Sequence, residues 1–135
     1  MREEQEMVKD FHESFFHPVA SKPQMLSRER LEKRLGWMLE ELNELRNATT
    51  LDQQADALVD LIYFALGTCV EMGIDAATLF EIVHTANMTK LWPDGKPRFR
   101  KHDGKVIKPP GWMDPHKALK KELAHQIEGC QTKRG

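Results

Sequence analysis

The chain has 135 residues and a mass of 15.6 kDa, enough for one domain with its own core and short for two. Hydrophobic residues make up 40% and charged residues 30%, which excludes a disordered chain. The formal net charge of -1 argues against a nucleic-acid coat or a membrane-surface protein, so neither nucleic acid nor membrane is an expected partner.

Met7, Val8, Phe11 and Phe15 fall at helical spacing and predict a first helix over 3–16, ended by His17-Pro18. Ser27 is placed to cap a second helix reaching about Ala48, with Leu31, Leu35, Met38, Leu39, Leu42 and Leu45 as its core stripe. Thr50 is placed to cap a third helix that runs to about Met72, with Gly73 as its stop. Apolar residues surround this helix almost completely from Ala57 to Val70, which predicts a place in the middle of a bundle. Asp75 opens a fourth helix ending near Leu91. A stretch rich in Pro and Gly follows, with turn signals at Pro93-Asp94-Gly95 and Asp103-Gly104 and a short run, Lys105-Val106-Ile107, that can pair as a small hairpin. A last weak helix is expected over 115–128, and 129–135 as a flexible tail. The expectation is an all-α protein: a four-helix bundle in one domain over 1–128, with a basic loop after the fourth helix and a short C-terminal helix.

Residues 57–70 are too few to cross a bilayer and include Asp60. The opening MREEQEMVKDF lacks the apolar run of a signal peptide. Cys69 and Cys130 form no CxxC, giving neither a disulfide framework nor a zinc site. A cytoplasmic location is expected.

Charge is segregated along the chain. Residues 51–89 hold six acids and no Lys or Arg, while 90–108 hold seven bases against two acids. Asp56 and Asp60 lie one turn apart on the third helix, where no base of 51–89 can pair with them. They stand at an exposed edge, pair with another segment, or bind a cation. Glu40, Glu41 and Glu44 share one arc of the second helix, as does Trp37. A solvated acidic face is the plain reading, but no base at i+4 relieves the repulsion, and Trp37 fits a covered face better than a wet one. Five carboxylates on two facing helices would make an all-oxygen site suited to Mg²⁺, with Mn²⁺ able to substitute. On the fourth helix His84, Asn87 and Lys90 form one polar line, followed by Lys96, Arg98, Arg100, Lys101, Lys105 and Lys108. These are a solvated surface or a cradle for phosphates. No GxSxG, Walker loop or HExxH is present, and His12, His17, His102, His116 and His125 read as structural or solvated.

EELNEL (40–45), ADALVDLIYFALGTCVEMGID (55–75), HTANMTKL (84–91) and DGKVIKPPGW (103–112), with FHESFFHPV (11–19), resemble the all-α nucleoside-triphosphate pyrophosphohydrolases. That superfamily includes MazG, phosphoribosyl-ATP pyrophosphohydrolase and the dimeric dUTPases. The resemblance is strongest to its small MazG-like subgroup, some of whose members carry the label Cof-like HAD phosphohydrolase. It implies Mg²⁺-dependent cleavage of an NTP or dNTP to the monophosphate and pyrophosphate, for sanitation or shaping of the nucleotide pool. It also implies a homodimer or homotetramer. The superfamily's Glu-Glu-x-x-Glu matches Glu40, Glu41 and Glu44. In its Glu-x-x-Asp the Asp matches Asp60, but Ala57 stands at the Glu position, and Asp56 is the candidate replacement. Asn87 and Lys90 match an Asn-x-x-Lys near the substrate, and Lys105 matches a base of a phosphate-closing loop. The expected roles follow. Glu41, Glu44 and Asp60 hold a first Mg²⁺, Glu40 and Asp56 help with a second, and Glu40 or Glu41 accepts the proton of the attacking water. Lys90, Lys105 and Arg98 or Arg100 offset the charge of the leaving pyrophosphate, and Trp37 or Tyr63 stacks on the base. A non-enzymatic helical binding module and a pyrophosphohydrolase acting on phosphoribosyl-ATP are the alternatives.

Overall fold

The computed structural model describes residues 1–132. Five helices carry the chain: α1 (Arg2–Ser14), α2 (Arg28–Asn47), α3 (Leu51–Met72), α4 (Ala76–Met88) and α5 (His116–Thr132). Among the described residues there is no strand, and the chain is all-α as expected. The expected hairpin is reduced to one antiparallel bridge between Phe99 and Val106, flanked by Arg100 N–H to Lys105 O and Ile107 N–H to Arg98 O.

The helix boundaries follow from local chemistry. The Ser27 hydroxyl accepts from Arg30 N–H at 3.2 Å and the Thr50 hydroxyl from Gln53 N–H at 3.4 Å, each satisfying a donor that its helix start leaves unpaired. Gly73 ends α3 in the left-handed region, φ 68°, where its N–H reaches the Cys69 and Val70 carbonyls. A Cβ there would collide with the Lys22 carbonyl. After α1 the turn is made by Phe16 at φ 58°, a conformation that costs an aromatic residue about 1–2 kcal/mol. Helix α5 runs beyond its expected end to Thr132, and Leu123, Gln126 and Cys130 on it are half-buried. The rest of the expected tail, 133–135, lies outside the described residues.

The chain gathers into two compact units: Met1–Ala76 with the chain from Gln126 onward, and Ala77–His125. In the first, α3 packs against both α1 and α2. Its apolar centre is small: Val8 of α1 with Leu66 and Val70 of α3, and Ala76 beside them. Two expectations about packing are corrected here. The apolar stripe of α2 is only partly covered: Leu31, Met38 and Leu45 are half-buried, but Leu35, Leu39 and Leu42 are 40%, 57% and 45% exposed. The buried residues of α2 are Arg34 and Glu41. Likewise α3 is not enclosed on all sides, since Leu58, Val59 and Ile62 are exposed while Ala57, Leu66 and Val70 are buried. On α1 only Val8 and His12 are buried, and Met7 and Phe15 are exposed. Periodicity finds the apolar face of a helix, but the chain covers whichever face its polar groups can bond across.

Those polar groups form a buried lattice between α1, α2 and α3. Glu71 is clamped by Arg30 (Nε to Oε1, 2.6 Å) and Arg34 (Nη1 to Oε2, 3.0 Å). Arg34 also donates from Nε to the Thr68 hydroxyl and from Nη2 to the Phe64 carbonyl. His12 donates from Nδ1 to the Pro18 carbonyl at 2.8 Å, since the carbonyl can only accept. Gly67 makes this approach possible: a Cβ there would strike Arg34 Nη2 and come within 2.8 Å of His12 Nε2.

Candidate active site

Two turns beyond the Arg34 layer, α2 turns Glu41 toward α3. Its side chain is buried, and Oε2 has no hydrogen-bond partner. Burial raises the Glu41 carboxyl above the ordinary carboxylate value, and the like charges of Glu44, Asp60, Asp56 and Glu40 add to it in that order. All five sequence-predicted carboxylates therefore lie within electrostatic reach of one buried oxygen pair. Asp60 is half-buried, while Glu40, Glu44 and Asp56 are exposed. Ala57, at the position where the resemblance expects a glutamate, is packed into the interior at 2% exposure. Asp56, one residue earlier, is exposed and lines a cleft of about 390 Å³ with Glu44, Asn43, Asn47 and Gln53.

This donor set fits a hard divalent cation in its chemistry. The oxygens are carboxylates, one of them is orphaned, and no cation appears among the charges that act on Glu41. The carboxylates stand as a loose set: among the described residues no three His, Cys, Asp or Glu side chains converge closely enough to hold a metal ion as they are. Three of the five carboxylates are exposed and free of packing against the interior.

Trp37, one turn before Glu41, is covered on its faces. Phe64 stacks on it at 5.9 Å, and the Arg30 and Arg34 guanidinium groups lie 5.3 and 5.2 Å from the ring centroid. Tyr63 meets the Phe11 ring edge-on at 5.6 Å.

The second unit carries the basic residues. His84 and Asn87 are exposed on α4, and Lys90 just beyond its end is half-buried. Lys90 Nζ donates to Asn87 Oδ1 at 2.7 Å and lies 5.4 Å from the Trp112 ring centroid. Trp112 is anchored from Nε1 to the Ala86 carbonyl and the Thr89 hydroxyl, so Asn87 and Lys90 are held as one polar group. Arg98 stacks over Trp92 at 3.8 Å and faces Asp94 at 3.9 Å. Arg100 is paired with Asp103, whose carboxyl it holds below the ordinary range. Lys105 is exposed at the far side of the same bridge. The two arginines are thus engaged inside the loop, whereas Lys105 stands open to an approaching anion.

Sequence reading passed over the lattice of His12, Arg30, Arg34 and Glu71. Its signal was present: two bases at i and i+4 on α2, and a lone acid near the end of an apolar helix. Which acid they meet depends on a contact across 41 residues that spacing does not reveal.

Residues 8–87, more than half of the chain, match the phosphoribosyl-ATP pyrophosphohydrolase family. The chain belongs to that family. Its fold also resembles the crystal structure of a protein assigned as an NTP pyrophosphohydrolase from Exiguobacterium sp. 255-15, with 33% identity, a TM-score of 0.54, and 90% of this chain and 94% of that chain covered. No curated protein matches the chain. The family span contains both halves of the carboxylate set, His84 and Asn87, and ends before the basic loop. The chain is a pyrophosphohydrolase, and a nucleotide is its implied substrate. Among the described residues no single helix is long and apolar enough to cross a membrane.

Proposed function

We propose that the chain is a Mg²⁺-dependent nucleoside triphosphate pyrophosphohydrolase that cleaves an NTP or dNTP to the monophosphate and pyrophosphate. The carrying observation is Glu41: a buried carboxylate with an orphaned oxygen, four further carboxylates around it and no counter-charge. Glu41, Glu44 and Asp60 would hold a first Mg²⁺ (or Mn²⁺), with Glu40 and Asp56 supporting a second. Metal bound there would polarise the phosphate oxygens and lower the pKa of an attacking water. Glu40, exposed beside the set, is suited to accept that water's proton. Lys90, oriented by Asn87, and Lys105 supply charge for the leaving pyrophosphate. The exposed Leu35, Leu39 and Leu42 stripe supports assembly as a homodimer or homotetramer, since a second copy would cover three leucines on one helix face.

The test is pyrophosphate release with Mg²⁺ from all NTPs and dNTPs, with phosphoribosyl-ATP included because the family carries that name. Release from at least one NTP or dNTP, lost in Glu44→Gln with helicity unchanged, is the expected result. Activity retained in Glu44→Gln overturns the assignment of the site. Turnover of phosphoribosyl-ATP alone overturns the proposed substrate class.

A further inference from the structure

Two ammonium groups share the ring of Trp112. Lys90 Nζ lies 5.4 Å and Lys108 Nζ 4.5 Å from its centroid. Lys90 already has a place beside the leaving group, and Lys108 has none. We propose that Lys108 is a second cation for the pyrophosphate part of the substrate, acting together with Lys90, and that Trp112 is the residue that positions both. The inference rests on the pyrophosphohydrolase reading and adds two residues to it. Every group in it belongs to the second unit.

Three observations carry it. The first is the charge balance of the loop. Its two acids are spent on the arginines: Asp94 faces Arg98, and Asp103 pairs with Arg100. Among the described residues no carboxylate comes within ion-pair distance of Lys90 or Lys108. Two like charges are therefore gathered at one ring with no anion to balance them, and a ring face holds each of them only weakly. A phosphate group supplies the missing charge, and lysine suits it as a compact donor. The second observation is how firmly Trp112 is held. Its Nε1–H donates to the Ala86 carbonyl at 3.0 Å and to the Thr89 hydroxyl at 3.1 Å. Its backbone N–H donates to the Pro109 carbonyl at 3.2 Å, and Gly111 at φ 77° lets the chain make that return. The indole is thus pinned to the helix end that carries Asn87 and Lys90, by a turn that Lys108 immediately precedes. The third is the contrast with the other lysines of the loop. Lys96, Lys101 and Lys105 are exposed and, among the described residues, lie over no aromatic ring. Lys108 is equally open to solvent but already placed, so it loses less freedom when an anion arrives.

The experiment titrates inorganic pyrophosphate into the full chain by calorimetry, with and without Mg²⁺. Wild type is compared with Lys90→Ala, Lys108→Ala, Lys108→Arg, Lys101→Ala and Trp112→Phe. Wild type should bind. Lys90→Ala and Lys108→Ala should each weaken binding about tenfold or more, the loss expected of one charge-assisted contact, and Lys108→Arg should restore most of it. Lys101→Ala removes the same charge from the same loop and should change binding less than about threefold. Trp112→Phe keeps an aromatic ring but loses the Nε1–H anchor. It should weaken binding and abolish the fluorescence change that pyrophosphate causes in wild type, although Trp37 and Trp92 remain, a signal that a merely structural tryptophan would not give. Lys108 is exposed, so its variants keep the test valid if Trp112→Phe fails to fold. In hydrolysis, Lys108→Ala should raise KM about tenfold with little change in kcat, because the phosphates are charged before the reaction starts. No pyrophosphate bound by wild type under either condition, or a loss in Lys108→Ala no larger than in Lys101→Ala, overturns this inference. Triphosphate hydrolysis with KM unchanged in Lys108→Ala also overturns it and leaves the pyrophosphohydrolase reading standing. Pyrophosphate binding that Lys108→Ala loses and Lys108→Arg regains supports the site even if no NTP or dNTP is cleaved.

Discussion

Glu41 and Glu71 are both buried acids in the same helical unit, and their surroundings are opposite. Glu71 receives three charge-assisted bonds from Arg30 and Arg34. Glu41 receives none at Oε2 and faces four like charges. The first arrangement balances the cost of burying a charge and holds α2 to α3. The second leaves the cost in place, and a structure keeps such a cost only where something else repays it. One end of the α2–α3 interface is therefore held by paired charges, and the other is the end where we propose that a metal binds.

The contrast can be broken from the Glu71 side. Glu71→Ala strands Arg34, itself only 2% exposed, with no counter-charge, and should cost about 3–5 kcal/mol in urea denaturation. A loss under about 1 kcal/mol would mean that the clamp is dispensable. Gly67→Ala attacks the same end by steric means. Its methyl meets Arg34 and His12, so it should cost about 1–3 kcal/mol and disturb the clamp without removing a charge.

From the Glu41 side the sign reverses. Glu41→Gln should raise the melting temperature in metal-free buffer at pH 7, because it removes one of five crowded negative charges, while abolishing Mg²⁺-dependent turnover. Adding Mg²⁺ should raise the melting temperature of the wild type and not that of the variant. A destabilised Glu41→Gln would show that this carboxylate is structural after all. Asp56→Asn sharpens the picture at the site's edge. If Asp56 stands in for the glutamate displaced by Ala57, the Mg²⁺ concentration for half-maximal activity should rise about tenfold. An unchanged Mg²⁺ dependence would remove Asp56 from the donor set.

Much of this was legible in the sequence, and the exceptions have physical causes. Ser27, Thr50 and Gly73 set helix ends through bonds to residues next to them, so spacing alone located them. The carboxylates of 40–44 and 56–60 were readable because each group repeats at one helical turn. Arg34 and Glu71 were not, since a buried pair across two helices looks in sequence like any other surface charge. The leucine stripe misled for a related reason. Leu35, Leu39 and Leu42 mark a face that prefers cover, and sequence does not say whether the cover comes from the same chain. His17 read as structural or solvated, and only the structure shows that its Nδ1 is buried without a partner among the described residues.

The smallest effect is a pH dependence that separates the two ends in one titration. His12 lies at the Glu71 end, buried among Arg34, Glu71 and His17, with Nδ1–H on the Pro18 carbonyl. Burial, more than the nearby Arg34, lowers its pKa below the ordinary 6.5. The unfolded chain then binds a proton that the folded one refuses, so this contribution is full above pH 6.5 and is lost as pH falls from there toward the lowered folded value. Glu41 runs the other way. Its raised folded pKa makes its ionised form a penalty at neutral pH, and the penalty lifts as pH falls through that raised value toward 4.5. Urea denaturation from pH 7.5 to 4.5 should show the wild type weakening first and recovering part of the loss later. His12→Gln should flatten the upper limb and Glu41→Gln the lower one. If Glu41→Gln flattened the upper limb instead, the two ends would be one coupled network, and the division between a stabilising and a ligand-binding end would fail.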